Sequence, residues 1–151
     1  MSTPLEIAKT QIGVTEDPIG SNWGTKVREY LAAVSILSPA PWCAAFVVWC
    51  FRQASLNAQV IPSSGSTTFL LNWAREKGKI VTKPQPGDVF LLLRAGRQTA
   101  FHCGIVGGVG MLYFYTVEGN SNNNGSVEGY EVVRHRRRLL FNRVAFLRLT
   151  S

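Results

Sequence analysis

Cys43, His102 and Glu118 are the side chains of this chain best suited by type and order to nucleophilic chemistry. Cys43 stands where a proline-punctuated loop, Pro39 to Trp42, runs into the apolar segment that reaches Phe51. Pro39 and Pro41 keep the approach non-helical, so Cys43 is expected in a first helical turn. There the unpaired N–H groups and the positive end of the helix dipole favour a thiolate. A thiolate nucleophile needs a base within hydrogen-bond reach, and the base needs an acceptor to orient it. Only two histidines exist. His135 lies among arginines, which would hold it neutral and exposed. His102 opens a strand, at a rim where a side chain can meet a helix terminus. Glu118 and Asn120 close the following strand, beside the start of its antiparallel neighbour. Each residue also has a plainer reading. Cys43 would be a small core residue, Glu118 a solvated strand-end carboxylate, and Asn120 a turn former.

The elements that must position these groups follow from periodicity. Leu5, Ile7, Ala8 and Ile12 share a face of a short helix from Pro4 that Gly13 ends. A second helix, capped by Ser21 or Asn22, is expected from Trp23 to Ser35, and the Cys43 helix runs to about Ala54. A fourth, opened by Ser66 or Thr67, runs to about Lys77 with Phe69, Leu70 and Trp73 inward and Gly78 after it. Strands are expected at Lys79–Thr82, Val89–Leu93, Phe101–Val109, Met111–Glu118, Val127–Arg138 and Arg143–Leu149. Residues 119–125 read as a polar surface loop, and residues 57–66 as a small-polar connection. Helices first and strands after define an α+β fold with an antiparallel sheet. Strand alternation sends His102, Gly104 and Val106 to one face and Cys103 and Ile105 to the other, so Cys103 is expected in the core, pointing away from the site. Arg134, Arg136 and Arg138 share a face, read as solvated or as a patch for an anionic wall polymer.

At 151 residues with 46% hydrophobic and 17% charged residues, one globular domain is expected, residues 1–34 leading a core of 35–149. No apolar run is long enough to span a bilayer, and the N-terminal residues lack the apolar stretch of a secretory signal. The net charge of +7 favours an anionic partner without choosing among nucleic acid, membrane surface and cell wall. The arginine run is too short, and too poor in flanking aromatics, to argue for a specific nucleic acid. Three cysteines make no disulfide framework; whether Cys50 and Cys103 pair is open. No zinc spacing or calcium loop is present, so neither metal nor cofactor is expected.

Pro41, Trp42, Cys43, Ala44, Ala45, Phe46 and Val47 with Trp49 and Cys50, then Pro86-Gly87-Asp88, then His102 to Val106, then Glu118-Gly119-Asn120, resemble the CHAP branch of the NlpC/P60 peptidoglycan hydrolases. The separations, 59 residues from Cys43 to His102 and 16 more to Glu118, fit that pattern. The resemblance covers roughly residues 35 to 148. It implies a papain-like fold with N-terminal helices on an antiparallel sheet of five or six strands. It also implies Cys43 as nucleophile, His102 as general base, Glu118 as the orienting residue and Asn120 as an assisting polar group. Pro86-Gly87-Asp88 would be a structural turn. Trp42 and, less directly, Trp23 are candidates for the substrate groove, with core packing as the plainer role.

The reaction so implied is cysteine-dependent hydrolysis of an amide in bacterial peptidoglycan, either the N-acetylmuramoyl-L-alanine bond or one in the stem peptide or cross-bridge. A phage lysin or an antibacterial effector would fit. A monomer is expected, made in the cytoplasm and delivered to the periplasm or wall by a holin or a secretion machine, with an immunity protein as a possible partner. A papain-like transferase is a variant of this reading. The non-enzyme alternative is a wall- or nucleic-acid-binding domain on the same fold. It would tolerate loss of the Cys43 thiol, whereas hydrolysis would not.

Overall fold

The computed structural model describes residues 2–54, 60–121 and 129–150. Among these, helices α1 (Pro4–Thr10), α2 (Thr25–Ala32), α3 (Cys43–Gln53) and α4 (Thr67–Glu76) precede all the strands. The strands are β1 (Ile80–Val81), β2 (Val89–Leu93), β3 (Ala100–Val109), β4 (Tyr113–Ser121), β5 (Glu131–Arg138) and β6 (Val144–Leu147). They form one six-stranded sheet in the order β1-β6-β2-β3-β4-β5, with antiparallel neighbours throughout. The helix-then-strand α+β fold is as the sequence predicts. The insertion of β6 between β1 and β2 is a long-range pairing that no local signal announces.

α3 is the centre of the molecule. Every residue from Cys43 to Phe51 is buried, as expected of a helix apolar all round. It lies in a cluster fed by Tyr30 and Leu31 of α2, Leu70 and Leu71 of α4, and the inward residues of the sheet: Val89, Leu91, Cys103, Ile105 and Val117. Burial of side chains such as Phe46 and Val47 stabilises the fold by about 1.5–3 kcal/mol each. Gly119 permits the close approach of α3 to β4. A Cβ there would stand 2.7 Å from Cζ3 of Trp42 and 2.9 Å from Cβ of Phe46.

The opposite face of the sheet holds a second, smaller core of Phe90, Val106, Phe114, Val144 and Phe146. In a flat sheet β5 would lie about 14 Å from β2, three strand spacings away. Instead the guanidinium of Arg137 on β5 stands 5.8 Å from the ring centroid of Phe90 on β2. The Arg137 side chain thus extends over this second core toward β2, and residues 139–143 connect β5 to β6.

Several local expectations are corrected. α2 begins at Thr25 with Gly24 as N-cap at φ 138° and no side-chain cap, in place of Ser21 or Asn22. Gly24 is pressed against backbone: a Cβ would lie 3.0 Å from the Asp17 nitrogen. Phe69 faces outward, 52% exposed, and Leu71 and Ala74 join Leu70 on the buried side of α4. Gly119, Asn120 and Ser121 are buried strand residues, not surface loop. His135 is half-buried, and burial first of all lowers its pKa. Residues 122–125 of the expected loop, 57–59 of the expected connection and 127–128 of the expected strand lie outside the described residues. Pro86-Gly87-Asp88 is a structural turn: Asp88 accepts from the Gln85 N–H at 2.7 Å and pairs with Arg148 at 3.0 and 2.9 Å.

Candidate active site

The chain before α3 forms no regular structure through its prolines, and Trp42 is the N-cap residue. The first helical bond is Phe46 N–H to Trp42 O. The amide groups at the start of α3 therefore point from the positive end of the helix toward the region of Cys43. Cys43 is 8% exposed and lines a cleft of about 630 Å³ that Glu16, Gly20, Asn22, Pro41, Arg94, Phe101 and Asn120 also border. A hollow of about 440 Å³ bordered by Lys9, Tyr115, Arg134 and Arg136 contains no cysteine.

His102 and Glu118 meet as strand order predicts. The paired residues of β3 and β4 run from Val109 and Phe114 to Ile105 and Val117. Beyond that point His102 donates from Nε2 to Oε1 of Glu118 at 2.9 Å, with both side chains fully buried. This leaves Nδ1 as the ring nitrogen available to Cys43. Nδ1 is buried without an aligned hydrogen bond of its own, as often seen before a substrate is bound. Burial by itself would lower the His102 pKa. Interaction with the Cys43 thiol, and then with Glu118, overrides it and raises the pKa to about 9.

Glu118 is fully engaged. Arg137 donates from Nε to Oε2 and from Nη2 to Oε1, each at 2.6 Å, and Thr116 Oγ1 donates to Oε2 at 2.7 Å. Burial alone would raise its pKa, yet hydrogen bonding from Arg137 and then His102 holds it well below the usual carboxylate range. Sequence reasoning missed Arg137. Alternation offered a signal, since exposed Arg134, Arg136 and Arg138 turn Arg137 to the other face, and an arginine turned inward needs a carboxylate.

Cys103 is corrected as well. It is fully buried on the helix-facing side of β3, opposite His102, but that side is where Cys43 arrives. The Cys43 thiol is drawn well below its ordinary pKa, first by a hydrogen bond from the Cys103 thiol. Burial opposes this, while His102 and the Cys103 backbone add to it. Cys103 is raised, by burial and then by Cys43. The charge belongs on Cys43 because the helix terminus and His102 serve it directly. Cys50 is a buried free thiol raised by burial, and all three cysteines are free.

Asn120, at φ 57°, reaches back across the sheet. Its Oδ1 accepts from the Trp42 backbone N–H at 2.8 Å and its Nδ2 donates to Gly129 O at 2.6 Å. It thus fixes the residue before the thiol. Trp42 itself is 0% exposed. Its indole donates to Oε2 of Glu16 at 2.8 Å and packs beside Tyr30, so it backs the cleft wall and does not line it. Trp23 borders a separate hollow with Arg28 and Leu37; Gly20, Asn22 and Phe101 take the bordering positions. Among the described residues no group of three or more His, Cys, Asp or Glu side chains could hold a metal ion, and no helix is long and apolar enough to cross a membrane.

A helix-borne thiol, a strand-borne imidazole and a buried carboxylate are thus set between helices and an antiparallel sheet, an α+β arrangement compatible with a papain-like domain. The CHAP domain profile matches residues 37–120, more than half of the chain, and the chain belongs to the CHAP domain family, whose members are typically peptidoglycan hydrolases. Comparison with curated proteins and with solved structures gave no match.

Proposed function

We propose that this chain cleaves an amide bond of peptidoglycan by cysteine catalysis, with Cys43 as nucleophile and His102 as its acid and base. The observation that carries the reading is the closeness of the Cys43 thiol to a His102 ring whose Nε2–H is held by Glu118, itself gripped by Arg137. The thiolate attacks the carbonyl carbon while the imidazolium holds the proton. Negative charge collects on the carbonyl oxygen, and the free N–H groups at the start of α3, beginning with that of Cys43, are suited to receive it. Collapse of the intermediate expels the amine, which takes its proton from His102. Water, deprotonated by the neutral imidazole, then attacks the thioester, which releases the carboxylic acid product and restores the Cys43 thiolate beside the imidazolium. Glu118 keeps Nε2–H engaged throughout and supports the imidazolium. Asn120 holds Trp42, and through it the position of Cys43.

The scissile bond is either that between N-acetylmuramic acid and L-alanine or one in the stem peptide or cross-bridge. The biological setting is that of a lysin or an antibacterial effector delivered to the wall by a holin or a secretion machine. An immunity protein would be the partner in the second case. The test is digestion of purified peptidoglycan by wild type and Cys43→Ala, with products identified by mass spectrometry. Intact stem peptides freed from glycan indicate an amidase, and cleaved stems or bridges an endopeptidase. Equal products from both proteins, or wall binding without cleavage by either, would replace this reading with that of a binding domain.

A further inference from the structure

Among the described residues, the ordinarily charged side chains that border the cleft containing Cys43 are Glu16 and Arg94. Glu16 is 3% exposed and both its oxygens are taken, Oε1 by the Gly20 N–H at 2.9 Å and Oε2 by the Trp42 indole at 2.8 Å. Arg94 is exposed, and none of the ion pairs among the described residues involves it. Of these two charged side chains, Arg94 is the one exposed to a ligand, and its guanidinium has donors to spare.

That guanidinium is held in place. Nη1 donates to Ala100 O at 3.0 Å, and its central carbon stands 5.6 Å from the ring centroid of Phe101, itself on the cleft border. The same Ala100 carbonyl accepts from Thr67 Oγ1 at 2.8 Å, and Arg75 of α4 donates to Arg97 O at 2.6 Å. The β2–β3 turn that carries Arg94 is thus tied to α4. A guanidinium fixed through one nitrogen keeps other donors for a planar, bidentate partner, and carboxylates fit that fork. Phe101, 39% exposed, offers an apolar surface beside it.

We propose that Arg94 and Phe101 form a carboxylate subsite of the Cys43 cleft, which selects peptide stems carrying a free carboxylate near the scissile amide over stems in which that group is amidated. This rests on the reading of the cleft as a peptidoglycan-binding site. Arg94 binds substrate and takes no part in the bond-breaking steps.

The experiment measures binding, so that it does not depend on turnover. Calorimetric titration of the Cys43→Ala protein would use two soluble muropeptides of one sequence, one with free stem carboxylates and one with them amidated. The expected result is at least about tenfold weaker binding of the amidated form, in keeping with loss of one charge-assisted pair. Adding Arg94→Ala should abolish the difference, and Arg94→Lys should restore part of it. Equal binding of the two muropeptides, a preference that survives Arg94→Ala, or no binding of either would overturn the subsite. A carboxylate preference in a protein whose wild type cuts no wall would keep the subsite and overturn the hydrolase.

Discussion

Arg137 on β5 grips Glu118 on β4 through two hydrogen bonds of 2.6 Å, on the carboxylate whose Oε1 also accepts from His102. The imidazole is thereby aimed from two strands away. Orientation of the His102 ring is a property of three neighbouring strands, β3, β4 and β5, as much as of the His102–Glu118 pair itself.

Arg137→Ala should therefore do two things. Arg137 is only 14% exposed at its side chain, and its removal leaves Glu118 buried and under-paired, at a cost of about 3 kcal/mol. It should also lower kcat more than it raises KM, because the guanidinium is engaged with Glu118 and is not among the residues that border the Cys43 cleft. Arg137→Lys keeps the charge but not the fork and should recover part of both. Thermal unfolding and steady-state kinetics measure the two effects.

The pH profile follows from the same groups. His102 is raised to about 9, above an unperturbed value of about 6.5. Its protonated form is stabilised by folding, a contribution full below the unfolded value and lost as pH rises through about 9. Wall hydrolysis should hold across neutral pH and fall as the imidazolium is lost near that value. In Glu118→Gln the carboxylate no longer supports the imidazolium, so the basic limb should move downward. An unmoved limb would remove Glu118 from the mechanism.

Cys103 lowers the Cys43 pKa more than any other group does. Cys103→Ala should accordingly shift thiolate formation at Cys43 to higher pH, while Cys103→Ser, which keeps a donor, should shift it less. The pH dependence of thiolate absorbance in the ultraviolet reads this directly.

Gly119→Ala places a methyl group 2.7 Å from Trp42 and 2.9 Å from Phe46. Destabilisation of about 1–3 kcal/mol is expected, with loss of activity as the start of α3 is pushed outward. Chemical denaturation and wall digestion measure the pair of effects.

Asn120→Ala removes the acceptor for the Trp42 N–H and the donor to Gly129 O. Loss of about 1–3 kcal/mol is expected from the buried groups left unpaired. A displacement of Cys43 of even about 1 Å could cost on the order of a hundredfold in rate. Asn120→Asp keeps the acceptor and should retain more activity than the alanine variant.

How far the sequence could be read depended on the range of the determinant. The start of α3 at Cys43 was legible because prolines and an unbroken apolar run are local signals. The meeting of His102 and Glu118 was legible because antiparallel neighbours bring a strand end to a strand start. Gly24 in place of Ser21 or Asn22 as a cap was not, since it answers to backbone packing at Asp17. Phe69 shares its helix with Leu70, Leu71, Trp73 and Ala74, and periodicity alone does not choose the phase of so apolar a face. Arg137 reaches Glu118 along the seam of neighbouring strands β4 and β5, at a register offset that only the folded sheet sets. The placement of Cys103 by alternation was sound as to face, but the site lies on both faces: Cys43 comes from the helix side and His102 from the other.

The central claim, that Cys43 is a thiolate nucleophile poised by His102, is tested most directly by alkylation with iodoacetamide across pH. Peptide mass spectrometry would locate the label, and wall hydrolysis would be followed on the same samples. The account predicts modification of Cys43 well below the ordinary thiol range, ahead of Cys50 and Cys103, with activity lost in step. Full labelling of Cys43 with hydrolysis intact, or hydrolysis lost while Cys43 stays unlabelled, would contradict it.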